Sequence, residues 1–157
     1  MEEMESWIAA LEREVRSFEI YFMIGLPGQT ERSVWETVAY CEELLGRFPR
    51  GRVVPFICPM LPFLDPGSDI FEDPGSWGYT LFHRSLEDHR RALAAPTWRA
   101  RLNYCTDSLD REALVRVSYA AVQRLTEIKV ERGLLPEAIG GGIVDRLEET
   151  GSLLDRI

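Results

Sequence analysis

Metal and thiol chemistry have little to draw on in this sequence. Its three cysteines, Cys41, Cys58 and Cys105, stand far apart in 157 residues. There is no CxxC pair, and an odd count argues against a disulfide scaffold. Two of the three lie in apolar stretches, where a buried, inert thiol is expected. The two histidines, His83 and His89, are six residues apart. That spacing puts them on different helix faces, which disfavours a two-histidine metal site on one helix and reads as surface groups. GxxxxGK[ST], GxGxxG and GxSxG are also missing, and with them the signatures of a phosphate loop, a dinucleotide fold and a serine hydrolase.

Long apolar runs are lacking too. No window approaches 18 consecutive apolar residues, so a membrane span is not expected. The N-terminus, MEEMESWIAALERE, is acidic where a signal or transit peptide would be basic, which points to the cytoplasm. A net charge of -8 and a pI near 4.9 repel phosphate backbones, so neither nucleic acid nor a membrane is an expected partner. The short basic strips at 89–91 and 99–101 read as solvated helix faces.

What is present is a pattern of elements. Residues 4–17 read as a helix, with Trp7, Ile8, Leu11 and Val15 on one stripe. Phe18–Ile24 is a nearly unbroken β-type run, as suits a covered parallel strand. Gly25-Leu26-Pro27-Gly28 breaks it. Thr30 is then a helix N-cap, and Val34, Val38, Cys41 and Leu45 carry an apolar stripe to a stop at Gly46. Arg52 to Cys58 is a second β-type run, with Pro55 awkward for a central strand. Strand, helix, strand is a βαβ unit, so the two strands should be parallel. Residues 59–80 form an ordered loop of Pro, Gly, Asp and aromatics. Asp65, Asp69, Glu72 and Asp73 cluster there without EF-hand spacing and read as turn formers. Ser85 with Asp88 opens a helix to about Ala94. A long helix follows from about Asp110 to Arg132, closed by Gly133 and Pro136. The Gly140-Gly141-Gly142 tail reads as flexible. The fold class is therefore α/β, a two-stranded βαβ unit followed by a mostly helical C-terminal region.

The turn itself sits where α/β proteins bind ligands, at the C-terminal rim of a parallel sheet. Glycines 25 and 28 let a ligand approach the backbone, and Pro27 stiffens the corner. The stretch YFMIGLPGQTERSVWETVAYCEELL resembles the fifth strand and following helix of radical S-adenosylmethionine (SAM) enzymes. The likeness is greatest to the subgroup carrying a cobalamin-binding domain. It continues through VVPFICPMLPFLDPGSDIF, similar to the sixth strand and its loop, and covers about Ser17 to Pro136. The resemblance implies a partial, incomplete TIM-type barrel over residues 1–80 and a helical C-terminal extension over 81–157. It also implies that Met23 and Gly25 lie at the adenosyl edge of the cofactor. Leu26, Pro27 and Gly28 would shape the turn, and Val54, Pro55 and Phe56 would stand nearby. Trp77, Tyr79, Trp98 and Tyr104 are candidates for an aromatic wall on the substrate side, with core packing as the plainer expectation.

The family's chemistry needs a CxxxCxxC motif to hold a [4Fe-4S] cluster, and this chain has none. A glycine–glycine–glutamate segment and the first four barrel strands are missing as well. The resemblance is thus to the C-terminal part of a larger enzyme that would use SAM, a [4Fe-4S] cluster and cobalamin. No catalytic residue or metal ligand is expected in this chain, and no cofactor is expected to bind it tightly alone. The expected partner is a missing N-terminal half or complementary chain, and exposed apolar surface should make the isolated chain marginal or self-associating. The alternative is a non-enzymatic module whose amphipathic helices, 4–17 and 110–132, dock on a partner chain.

Overall fold

The computed structural model describes residues 2–11, 14–48, 52–59 and 64–154. Helix α1 (Glu2–Leu11) precedes strand β1 (Phe18–Ile24), helix α2 (Glu31–Arg47) and strand β2 (Val53–Pro59). A one-turn helix α3 (Asp69–Glu72) and a 3-10 turn over Pro74–Trp77 lead into strand β3 (Tyr79–Leu81). Helices α4 (Leu86–Leu93) and α5 (Trp98–Arg101), strand β4 (Tyr104–Thr106), and the helices α6 (Arg111–Glu131) and α7 (Glu137–Leu154) complete the chain. Among the described residues no helix is long and apolar enough to cross a membrane.

The βαβ expectation holds: β1 and β2 pair in parallel, with Phe18 opposite Val53 and Met23 opposite Cys58. They form no closed barrel, only a two-stranded sheet. Thr30 caps α2 through a reciprocal bond with Ser33, a capping box that satisfies otherwise orphaned amides. Pro55 is accommodated by parity. The Phe18 amide donates to the Arg52 carbonyl, so even-numbered residues of β2 face β1. The missing N–H of Pro55 therefore lies on the outer edge, where no ladder bond is lost.

Among the described residues β1 is covered on one face only. Phe18, Ile20, Phe22 and Ile24, with Val53 and Ile57, pack against the buried stripe of α2 and against Ile8 of α1. On the other face Glu19, Tyr21 and Met23 are exposed, and Val54, Phe56 and Cys58 are half-buried. A strand covered on both faces was the expectation; the described structure covers one. Helix α6 lies beside α2 and against β2 and spends its apolar stripe, Leu114, Val117, Ala121, Leu125 and Ile128, on the core.

Three local expectations are corrected. The helix expected over 4–17 ends at Leu11, with residues 12–13 outside the described set and 14–17 non-helical. Helix α2 passes through Gly46 and ends on the Phe48 amide bonded to Leu44 O. The Gly140–Gly142 tail is helical, because Gly140 lets α7 close onto Val130 of α6, where a Cβ would collide. The helical extension also contains a strand: β3 and β4 pair antiparallel, Tyr79 opposite Thr106. One core runs from Ile24 and Val34 through Tyr79 and Tyr104 to Ile128, so it is continuous across the boundary expected at residue 80.

Candidate functional site

The corner after β1 is built from the inside. Gly25 is buried at φ +96, and Gly28 is exposed at φ +70, both in the left-handed region that glycine adopts without a Cβ penalty. The Gln29 carboxamide folds back into the corner. Its Oε1 accepts from the Gly25 amide at 2.8 Å and the Leu26 amide at 3.4 Å, and its Nε2 donates to Met23 O at 3.2 Å. The Gly25 and Leu26 amides are thus held by the corner's own glutamine. From below, the Tyr79 hydroxyl donates to Gly25 O at 2.9 Å. The ring of Tyr104, fully buried and edge-on to Tyr79 at 5.4 Å, abuts Gly25 so closely that a Cβ there would lie 2.6 Å from its hydroxyl oxygen. Tyr79 and Tyr104 are therefore core supports of the corner, while Trp77 is exposed and Trp98 packs by Tyr119.

The eight residues singled out in the sequence separate into two groups. Met23, 46 % exposed, and the exposed Leu26, Pro27 and Gly28 gather with Gly25 at the C-terminal rim of β1. Val54, Pro55 and Phe56 lie lower on β2, where the residue level with Met23 is Cys58. Val54 is four residues, roughly 13 Å of strand, from Cys58. Pro55 is buried on the covered face, opposite to Val54 and Phe56.

Phe56 anchors a different feature. Its ring stacks on Tyr21 at 5.0 Å and carries the Lys129 Nζ 4.2 Å from its centroid. Lys129 lies in the last turn of α6, at the rim of a cavity of about 300 Å³ between β2, α6 and α7. The fold of the α6 terminus sets this up. Gly133 turns left-handed at φ +68, and the Leu134 and Leu135 amides both return to Lys129 O, a glycine-terminated helix end. That places Leu134 and Leu135 in the cavity wall. Burial pushes the Lys129 ammonium below its ordinary range, opposed by the thiols of Cys41 and Cys58. The sequence carried a signal for this residue: of 18 Lys+Arg positions, Lys129 is the one lysine.

The histidines are not both surface groups. His89 is buried, with Nδ1 2.8 Å from Ser85 O and Nε2 3.1 Å from Asn103 Nδ2. Asn103 Oδ1 accepts from the Leu64 amide at 3.0 Å, so the trio ties the long loop to α4 and β4. Among the described residues no group of three or more His, Cys, Asp or Glu side chains could hold a metal ion. Cys41 is buried in the α2 core, where its thiol is pushed up to about 12, and Cys58 and Cys105 lie on different strands. Comparison with known protein families, characterised proteins and solved structures finds no match for this chain.

Proposed function

We propose that the chain is the closing piece of a partial, TIM-type radical SAM barrel: it supplies two parallel strands and the adenosyl edge of the SAM pocket, and a complementary segment supplies the rest. One observation carries this reading. Tyr21 and Met23 lie bare, with Phe56 half-buried beside them, on one face of a parallel sheet whose C-terminal rim ends in the exposed Leu26-Pro27-Gly28 corner. An apolar face of this kind is what the inner wall of a barrel requires, and ligands of such folds sit at that rim.

The residues present do not fit a [4Fe-4S] cluster, because Cys41, Cys58 and Cys105 are dispersed over α2, β2 and β4. In this reading the cluster and the cobalamin belong to the complementary part, and no reaction step falls on this chain. Its own contribution is binding. Met23 and Leu26 present apolar surface to a purine, and Gly25, fixed by Tyr79, keeps the backbone corner rigid. The rival reading, a helical docking module, keeps α1 with its exposed Trp7 but loses the α6 stripe, which is inside the core.

Co-expression with a four-strand N-terminal half of a radical SAM protein bearing CxxxCxxC tests the proposal. The two pieces should co-purify, and the pair should bind SAM in equilibrium dialysis. Met23→Asp should weaken SAM binding at least tenfold without separating the pieces. Failure to associate, or SAM affinity equal with and without this chain, would overturn it.

A further inference from the structure

We propose that the cavity between β2, α6 and α7 is a binding site for a small apolar monocarboxylate, with Lys129 as its counter-ion. About 300 Å³ is the lower end of the range for small-molecule pockets. Its wall is nearly all hydrocarbon, from Val54, Ile57, Val122, Leu125, Leu135 and Ile143. Two polar side chains interrupt it, Thr126 and Lys129. Thr126 is committed, its hydroxyl donating to Val122 O at 2.8 Å. Lys129 is not committed to any anion among the described residues. Among the described residues no acidic side chain lines the cavity, and the nearby Glu127 and Glu131 of α6 are bonded to Arg124. Its described partner is the Phe56 ring.

A half-buried cation without an anion is a costly arrangement, and the lowered affinity of the amine for its proton reflects that cost. A ligand carboxylate would reverse it by charge-assisted hydrogen bonding. The wall sets the ligand class. One cation and no free donor besides it suit a single carboxylate on an apolar body. Phosphorylated ligands and sugars would bring more polar groups than the site can pair. The inference rests on β2, α6 and α7 alone and does not depend on the barrel reading.

Octanoate against octanol, titrated into the full chain and followed by tryptophan fluorescence and calorimetry, tests it. Octanoate should bind saturably at one site and octanol at least tenfold more weakly. Lys129→Met should abolish that preference and Lys129→Arg should keep it, while Ile143→Trp should block both ligands by filling the cavity. The single lysine gives a second readout: octanoate, but not octanol, should slow acetylation of Lys129 by acetic anhydride, read by mass spectrometry. Equal binding of the two probes, no saturable binding, or a preference undiminished in Lys129→Met would overturn the proposal. The comparison on the unaltered chain decides it if the variants do not fold.

Discussion

At the scale of single residues, the corner after β1 is a contact between a glycine without a side chain and a tyrosine whose hydroxyl has no hydrogen-bond partner among the described residues. The Tyr104 hydroxyl is buried and has no hydrogen-bond partner among the described residues, and burial raises its pKa. A buried unpaired hydroxyl costs about 1–3 kcal/mol. Tyr104→Phe should therefore be neutral or stabilising. Gly25→Ala meets two penalties. A Cβ at φ +96 is strained, and it would sit 2.6 Å from the same hydroxyl oxygen. Left-handed strain of about 1–2 kcal/mol plus overpacking of about 1–3 kcal/mol predicts a loss of about 2–5 kcal/mol in urea unfolding. Gly28→Ala, at φ +70 with open space around it, should lose only the strain. In a double-mutant cycle Tyr104→Phe should recover part of the Gly25→Ala loss, because the two changes share one contact. Strict additivity would mean that the hydroxyl does not press on the corner.

At the scale of elements, strong local signals gave the right answer and tertiary contacts supplied the rest. The capping residues Thr30 and Ser85 were legible because an N-cap is a local bond. β1 and β2 were legible as apolar runs separated by one helix. The exposed face of β1 was not, since the apolar run reads as a strand covered on both faces while packing leaves Tyr21 and Met23 bare. The helix at Gly140–Gly142 was hidden because poor propensity is offset there by close approach to α6. The three-residue strands β3 and β4 are too short for periodicity to reveal. The rim half of the candidate site was visible as GLPG, whereas its Gln29 clasp and tyrosine supports depend on distant pairing. Helix α1 shows how weakly an element can be held. Beyond Ile8, its described polar tether is Glu5, which accepts from the Tyr40 hydroxyl at 2.8 Å and pairs with Arg47. Those bonds hold the Glu5 carboxyl below its ordinary value near 4.5, the Tyr40 bond most of all. A depressed carboxylate contributes stability that is complete above its unfolded value and is lost as pH falls through the folded one. Acidification below about 4.5 should therefore release α1 before the core unfolds. Glu5→Gln should do the same at pH 7, seen as faster hydrogen exchange over residues 4–11 with α2 and α6 unchanged. Uniform exchange across all three helices would show that α1 is not separately tethered.

At the scale of the whole molecule, two opposed forces decide how the chain behaves alone. The open face of the sheet, with Tyr21 60 % and Met23 46 % exposed, and the unpaired outer edge of β1 among the described residues favour pairing with a second copy. Net charge of -8 opposes it. Glu19 lies on the same face and adds local repulsion, while the outer edge of β2 is blunted by Pro55. The attraction is short-ranged and apolar; the repulsion is long-ranged and screened by salt. Self-association of the isolated chain should therefore strengthen as ionic strength rises, opposite to an interface built on ion pairs. Sedimentation velocity across two orders of magnitude in concentration, at low and high salt, reads this directly. Tyr21→Lys with Met23→Lys should yield a monomer at both salts. Because both side chains are exposed, each change should alter unfolding stability by only about 0.5 kcal/mol. A wild-type chain that stays monomeric at high salt would mean that the bare face is not adhesive, and it would remove the main physical reason for expecting a complementary barrel half to cover it.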